Sequence, residues 1–129
     1  MNAPAPFLIQ SLLVAFGGGA GAWLRFVAGR MLPSAGFPAA TLTVNILGSF
    51  AMGLLAGWLA RHGSGGENTR LLLGVGLMGG FTTFSAFSLE LALMIERGQL
   101  ALAMGYALAS VIAGVLGLFA GLAMMRALA

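Results

Sequence analysis

The chain has 129 residues, 60% hydrophobic and only 7% charged, with a mean hydropathy of +1.02. Soluble domains carry about a quarter charged residues, so this chain cannot cover a water-facing surface and belongs in lipid. Without cysteine it has no disulfide framework and no thiolate metal site. Its net charge of +3 comes from scattered arginines, which argues against a nucleic-acid-binding patch.

The length leaves room for about four crossings of about 20 residues each, hence one compact membrane domain over residues 1–129. The opening MNAPAPFLIQ lacks the basic residues that precede a secretory apolar core, so the first apolar run is read as a retained span. Span one covers residues 7–31, with Arg25 in its second half, and a break, RMLPSAGFP, follows at 30–38. Span two covers 39–60 and carries no charge. The polar loop RHGSGGENTR, residues 61–70, lies outside the bilayer. Span three covers 71–95, the turn ERGQ follows at 96–99, and span four covers 100–125. Lipid offers no partner for backbone N–H and C=O groups, so each run is helical. The alternation expected of a membrane barrel is absent. The expected fold is all-α, with four transmembrane helices.

Lys and Arg asymmetry sets orientation. Arg61, Arg70 and Arg126 fall on one side, Arg30 and Arg97 on the other, with Arg25 near enough to snorkel toward it. Two readings follow from this near-tie. Misassigned loop ends hide a real bias, or the chain inserts both ways and forms an antiparallel, dual-topology pair about an axis in the membrane plane. Small residues recur every four positions on three spans: Gly17 and Gly21 before Arg25; Asn45, Ser49, Gly53 and Gly57; Gly105, Ala109, Ala113, Gly117 and Gly121. Such faces admit close backbone approach, within one chain or between two.

In GGFTTFSAFSLE, residues 79–90, glycines and β-branched threonines interrupt the third span. Gly costs about 1 kcal/mol relative to Ala in a helix, which favours an unwound turn at 79–83. Carbonyls freed at membrane depth suit a hard cation such as Na⁺. The alternative is an intact helix whose Ser and Thr hydroxyls bond back to the preceding turn. Phe84 and Phe87 lie near one face, where ring edges either line an anion path or simply pack. Asn45 is either interhelical glue or a neutral donor to an anion. Tyr106 and Ser110, one turn apart, offer further hydroxyls. Arg25 and Glu90 sit at similar depth toward one side, which predicts an ion pair. Arg25 alternatively snorkels or draws anions into a vestibule. His62 is assigned no role.

Three ordered motifs carry a resemblance over nearly the whole chain: GGGAGAWLRF at 17–26, TLTVNILGSFAMG at 41–53 and GGFTTFSAF at 79–87. The chain resembles the Fluc family of fluoride channels, also called CrcB proteins. The resemblance implies an antiparallel, dual-topology homodimer with two pores in the plasma (inner) membrane of a prokaryote. It implies passive fluoride export that relieves fluoride toxicity. It also implies a central structural Na⁺ held by backbone carbonyls, carried over to Gly79 and Thr82. Phe84 and Phe87 correspond to the family's pathway phenylalanines and Asn45 to its ion-contacting asparagine. Ser85, Tyr106 and Ser110 correspond to polar pore-lining positions. Ala86 departs from the family pattern, standing where the signature often has Thr or Ser. Two rivals remain. A small dual-topology, proton-coupled multidrug exporter needs an embedded carboxylate, and Glu90 and Glu96 lie toward one end of span three. A non-transporting membrane scaffold needs only the small-residue faces.

Overall fold

The computed structural model describes residues 3–33 and 35–128, and these are helical with no strand among them. Helix α1 spans Phe7–Met31 and α2 spans Ala39–His62. Gly63, at φ 51°, ends α2 and begins a short 3-10 turn over Gly63–Gly66. A continuous helical run follows, made of α3 (Glu67–Thr69), nine π-helical residues Arg70–Met78 and α4 (Gly79–Phe81). Helix α5 spans Ser85–Glu96. Gly98, at φ 75°, turns the chain into α6, Leu100–Ala127. Three helical stretches are long and apolar enough to cross a membrane: Phe7–Met31, Ala39–Glu96 and Leu100–Ala127.

Helices α1 and α2 and the helix over Leu100–Ala127 coincide to within two residues with the apolar runs 7–31, 39–60 and 100–125. The third run begins earlier than expected, and Glu67 and Arg70 pair at 2.9 Å across its first turn. All ten residues of the polar loop, 61–70, lie in helical or 3-10 turns.

Two helix pairs make up the body of the chain. Helix α1 packs on the π-helical segment and α4, and α2 packs on α6. The small residues explain both pairings. A Cβ at Gly17 or Gly21 would overlap the Leu72 or Leu77 carbonyl, and one at Gly80 would overlap the Gly18 carbonyl. On the other side, a Cβ at Gly53 would overlap the Leu118 carbonyl and one at Gly121 the Phe50 carbonyl. The stripes thus serve packing within the chain. Gly105 and Ala109 are exceptions: nothing lies within 4 Å of the Gly105 Cβ direction, and Ala109 is exposed.

Buried side chains are few: Val44, Leu55, Met94, Ala103 and Tyr106. Large apolar residues stand exposed along the outer faces, among them Phe7, Leu12, Phe16 and Trp23 of α1 and Leu108, Ile112, Leu116 and Phe119 of α6. Apolar faces of this extent find their solvent in lipid or a partner helix.

Candidate functional site

The third span is broken at Thr82 and Thr83, in the second half of the expected stretch 79–83, and not at its glycines. Gly79–Phe81 stay helical, Thr82 is extended (φ −87°, ψ 159°), and helix resumes at Ser85. The reason lies in what replaces the lost hydrogen bonds. Gly79 and Gly80 remain in the helix that lies against α1, where Gly80 has no room for a side chain. At Thr83, by contrast, side-chain oxygens take over from the backbone ladder. The Asn45 amide oxygen accepts the Thr83 N–H at 2.8 Å, and Asn45 Nδ2 donates to the Thr83 carbonyl at 3.0 Å. Thr83 Oγ1 in turn accepts the Ala86 N–H at 3.1 Å, as a capping residue does at the start of a helix. Both earlier readings hold in part: the helix unwinds, and Thr82 and Ser88 also bond back to the Met78 and Phe84 carbonyls.

Arg25 Nε donates to the Gly80 carbonyl at 3.1 Å, steadying the break from the α1 side. The expected Arg25–Glu90 ion pair does not form within the chain, because each group has another partner. The Glu90 carboxylate accepts from Thr41 Oγ1 at 2.6 Å and from the Tyr106 hydroxyl at 2.7 Å. Among the described residues the salt bridge is Arg70–Glu67. Arg25 also borders a hollow of about 180 Å³ with Thr41 and Thr83, and Glu90 borders another of about 180 Å³ with Arg97 and Gln99.

The break opens onto a cavity of about 300 Å³ lined by Asn45, Ser49, Thr82, Thr83, Phe84, Phe87, Ser110 and Val111. Of the expected anion-path residues, four therefore meet: Asn45, Phe84, Phe87 and Ser110. Ser110 Oγ is buried and has no hydrogen-bond partner among the described residues. An orphaned buried hydroxyl costs about 1–3 kcal/mol, so a partner from the cavity is called for. Asn45 has one amide N–H left after bonding Thr83. No charged side chain lines this cavity among the described residues; its donors are neutral.

Ser85 and Tyr106 are not among the lining residues. Ser85 is exposed beyond the break, with its hydroxyl 3.4 Å from that of Thr83. Tyr106 is 1% exposed and its hydroxyl is engaged by Glu90, so its part is to hold Glu90 and to pack. It continues a chain of rings out of the cavity. Phe84 and Phe87 lie 5.8 Å apart at 47°, Phe87 and Tyr106 5.1 Å apart at 55°, and Phe37 meets Tyr106 edge-on at 5.4 Å and 81°. Such tilted and edge-on pairs present the electropositive ring rims laterally.

Two cavity-lining residues escaped the sequence reading, Ser49 and Thr83. Asn45 clamps the Thr83 backbone, which is the interhelical-glue reading with its partner now identified, and it also faces the opening. Ser49 was legible as the residue one turn past Asn45; the clamp needed the rotation of α2 against the break.

The break also leaves a set of hard oxygen donors. The Thr83 and Ala86 N–H groups are taken by side-chain oxygens, so the Gly79 and Thr82 carbonyls lose their usual helical donors and have none among the described residues. Neutral carbonyl oxygens suit a hard monovalent cation, so the residues present fit Na⁺.

Residues 12–122 match the family described as "CrcB-like protein, Camphor Resistance (CrcB)". A protein of Novosphingobium aromaticivorans named "Fluoride-specific ion channel FluC" is 60% identical over 127 residues, covering 95% of this chain and 100% of its own length. Proteins of the same name from Phenylobacterium zucineum and Rhodopseudomonas palustris are 56% and 51% identical, covering 89% and 91% of this chain and 94% and 97% of their own. These relatives are named as ion channels, not enzymes.

Proposed function

The chain belongs to the CrcB-like family, and from that premise we propose that it is a fluoride channel that lets fluoride leave the cell passively. The observation that carries the reading is the cavity at the break, where the unpartnered Ser110 hydroxyl, the spare Asn45 N–H and the Phe84 and Phe87 rings converge without a charge. Fluoride is small and strongly hydrated. A pore must replace its water with donors at close range, yet release the ion again. Neutral hydroxyl, amide and ring-edge donors meet both demands. A negative-inside potential supplies about 2.3 kcal/mol per charge per 100 mV, so an open anion path alone drives fluoride outward.

The chain crosses the prokaryotic inner membrane four times, with α2 and the broken third span as separate crossings. A single copy leaves the cavity side of Phe84 open, that residue being 79% exposed. A second copy in the opposite orientation completes the path, as the balanced arginines favour. The Gly79 and Thr82 carbonyls from both copies would hold Na⁺, which would supply a fixed positive charge to the anion path. Within each copy, Asn45 and Arg25 hold those carbonyls in place through Thr83 and Gly80.

The test is fluoride efflux from liposomes holding the purified protein, with valinomycin to clamp the potential and chloride as control. Rapid fluoride release without chloride release is expected. No release from correctly folded protein overturns the reading. One observation favours a second function, proton-coupled export: Glu90 is a half-buried carboxylate held by Thr41 and Tyr106. That function predicts flux driven by an imposed pH gradient, whereas the channel passes fluoride without one.

A further inference from the structure

We infer that Gly48 is a positioning residue for the break, acting as a notch in α2 that seats the Thr82 methyl group. A Cβ at Gly48 would overlap Thr82 Cγ2 outright and would lie 3.5 Å from Phe81 Cδ2. Gly48 is itself buried. The overlap cannot be relieved cheaply. Thr is branched at Cβ and stiff at χ1, and its hydroxyl is already fixed by the Met78 carbonyl at 2.8 Å. Rotating the methyl away gives up that bond. Moving the break off α2 instead draws Thr83 from Asn45, one turn earlier on the same helix, where bonds of 2.8 and 3.0 Å leave no slack.

Helix α2 therefore templates the break at two adjacent points. Asn45 fixes the backbone of Thr83, and Gly48 fixes the side chain of Thr82. Together they set the extended conformation of Thr82 and hence where its carbonyl stands. The consequence for Na⁺ rests on the proposed channel reading; the Gly48–Thr82 coupling itself does not.

The test is a double-mutant cycle of Gly48→Ala and Thr82→Ser, since serine keeps the hydroxyl and the carbonyl but removes the methyl. It is read as fluoride efflux from liposomes and as the Na⁺-dependent thermal midpoint in detergent. Residues in contact couple in such cycles, and a tenfold effect corresponds to about 1.4 kcal/mol. With Thr82 in place, Gly48→Ala is expected to slow efflux about tenfold or more and to remove the midpoint's response to Na⁺. In the Thr82→Ser background it changes either readout little. Loss of equal size in both backgrounds, as lost flux or as failure to fold, overturns the inference, as does wild-type behaviour of Gly48→Ala. If the wild type conducts no fluoride the channel reading fails, while the midpoint still reports whether the two residues couple.

Discussion

Asn45→Ala is the most informative single perturbation. Asn45 forms two hydrogen bonds with the backbone of Thr83, one accepted at 2.8 Å and one donated at 3.0 Å. Both are partly buried, and alanine strands a backbone N–H and a C=O together. Each orphaned group costs about 1–3 kcal/mol. Even at about 1 kcal/mol apiece, the balance between held and released break shifts about thirtyfold. The thermal midpoint of the detergent-solubilised protein should fall, and fluoride efflux from liposomes should fall with it. Asn45→Asp separates the two contributions of the residue. The carboxylate still accepts from Thr83 N–H, but it faces the Thr83 carbonyl without a donor and adds a negative charge to the cavity. It should stop efflux at least as completely as alanine does. Wild-type efflux together with an unchanged midpoint in Asn45→Ala would show that the break holds itself, and the clamp argument would be wrong.

The remaining predictions concern the rings, the cation and the helix faces. Phe84→Ile or Phe87→Ile keeps apolar bulk but removes the ring edges, and sharply reduced fluoride efflux from an intact assembly is expected; unchanged efflux would make them packing residues. Phe87→Ile also loses two aromatic pairs, each worth about 0.5–1.5 kcal/mol, so its midpoint should fall further than that of Phe84→Ile, which loses one. Replacing Na⁺ by a large organic cation should lower the midpoint, since occupancy at 100 times the dissociation constant stabilises by about 2.7 kcal/mol; a midpoint indifferent to Na⁺ refutes the carbonyl site. Gly53→Val should fail to give a monodisperse protein on gel filtration, because its Cβ meets Leu118 and Leu122 backbone atoms that cannot move aside. Gly105→Ala, with open space at its Cβ, should elute as the wild type does.

Much of this molecule was legible before folding was considered. Hydropathy accumulates locally along the chain, so the all-helical membrane class and the helix limits followed from where charges and turn-formers fall, as at Gly98 and Pro38. Phe84, Phe87 and Asn45 were legible as candidate site residues through their motifs, and Ser110 as a hydroxyl one turn from Tyr106. Contacts between residues far apart were not. Whether Arg25 meets Glu90 or the Gly80 carbonyl, 55 positions away, depends on how α1 is rotated against the third span. Glu90 likewise finds Thr41 across 49 positions and Asn45 finds Thr83 across 38. The site of the break was decided at the same level. Glycine weakens a helix wherever it stands, but in lipid a helix opens only where other groups satisfy its backbone. Asn45 and Thr83 supply those groups, so the chain unwinds there, while Gly79 and Gly80 stay helical beside α1. Composition determined that this chain lives in a membrane as helices. The packing of α2 against the third span decided where one of those helices comes apart.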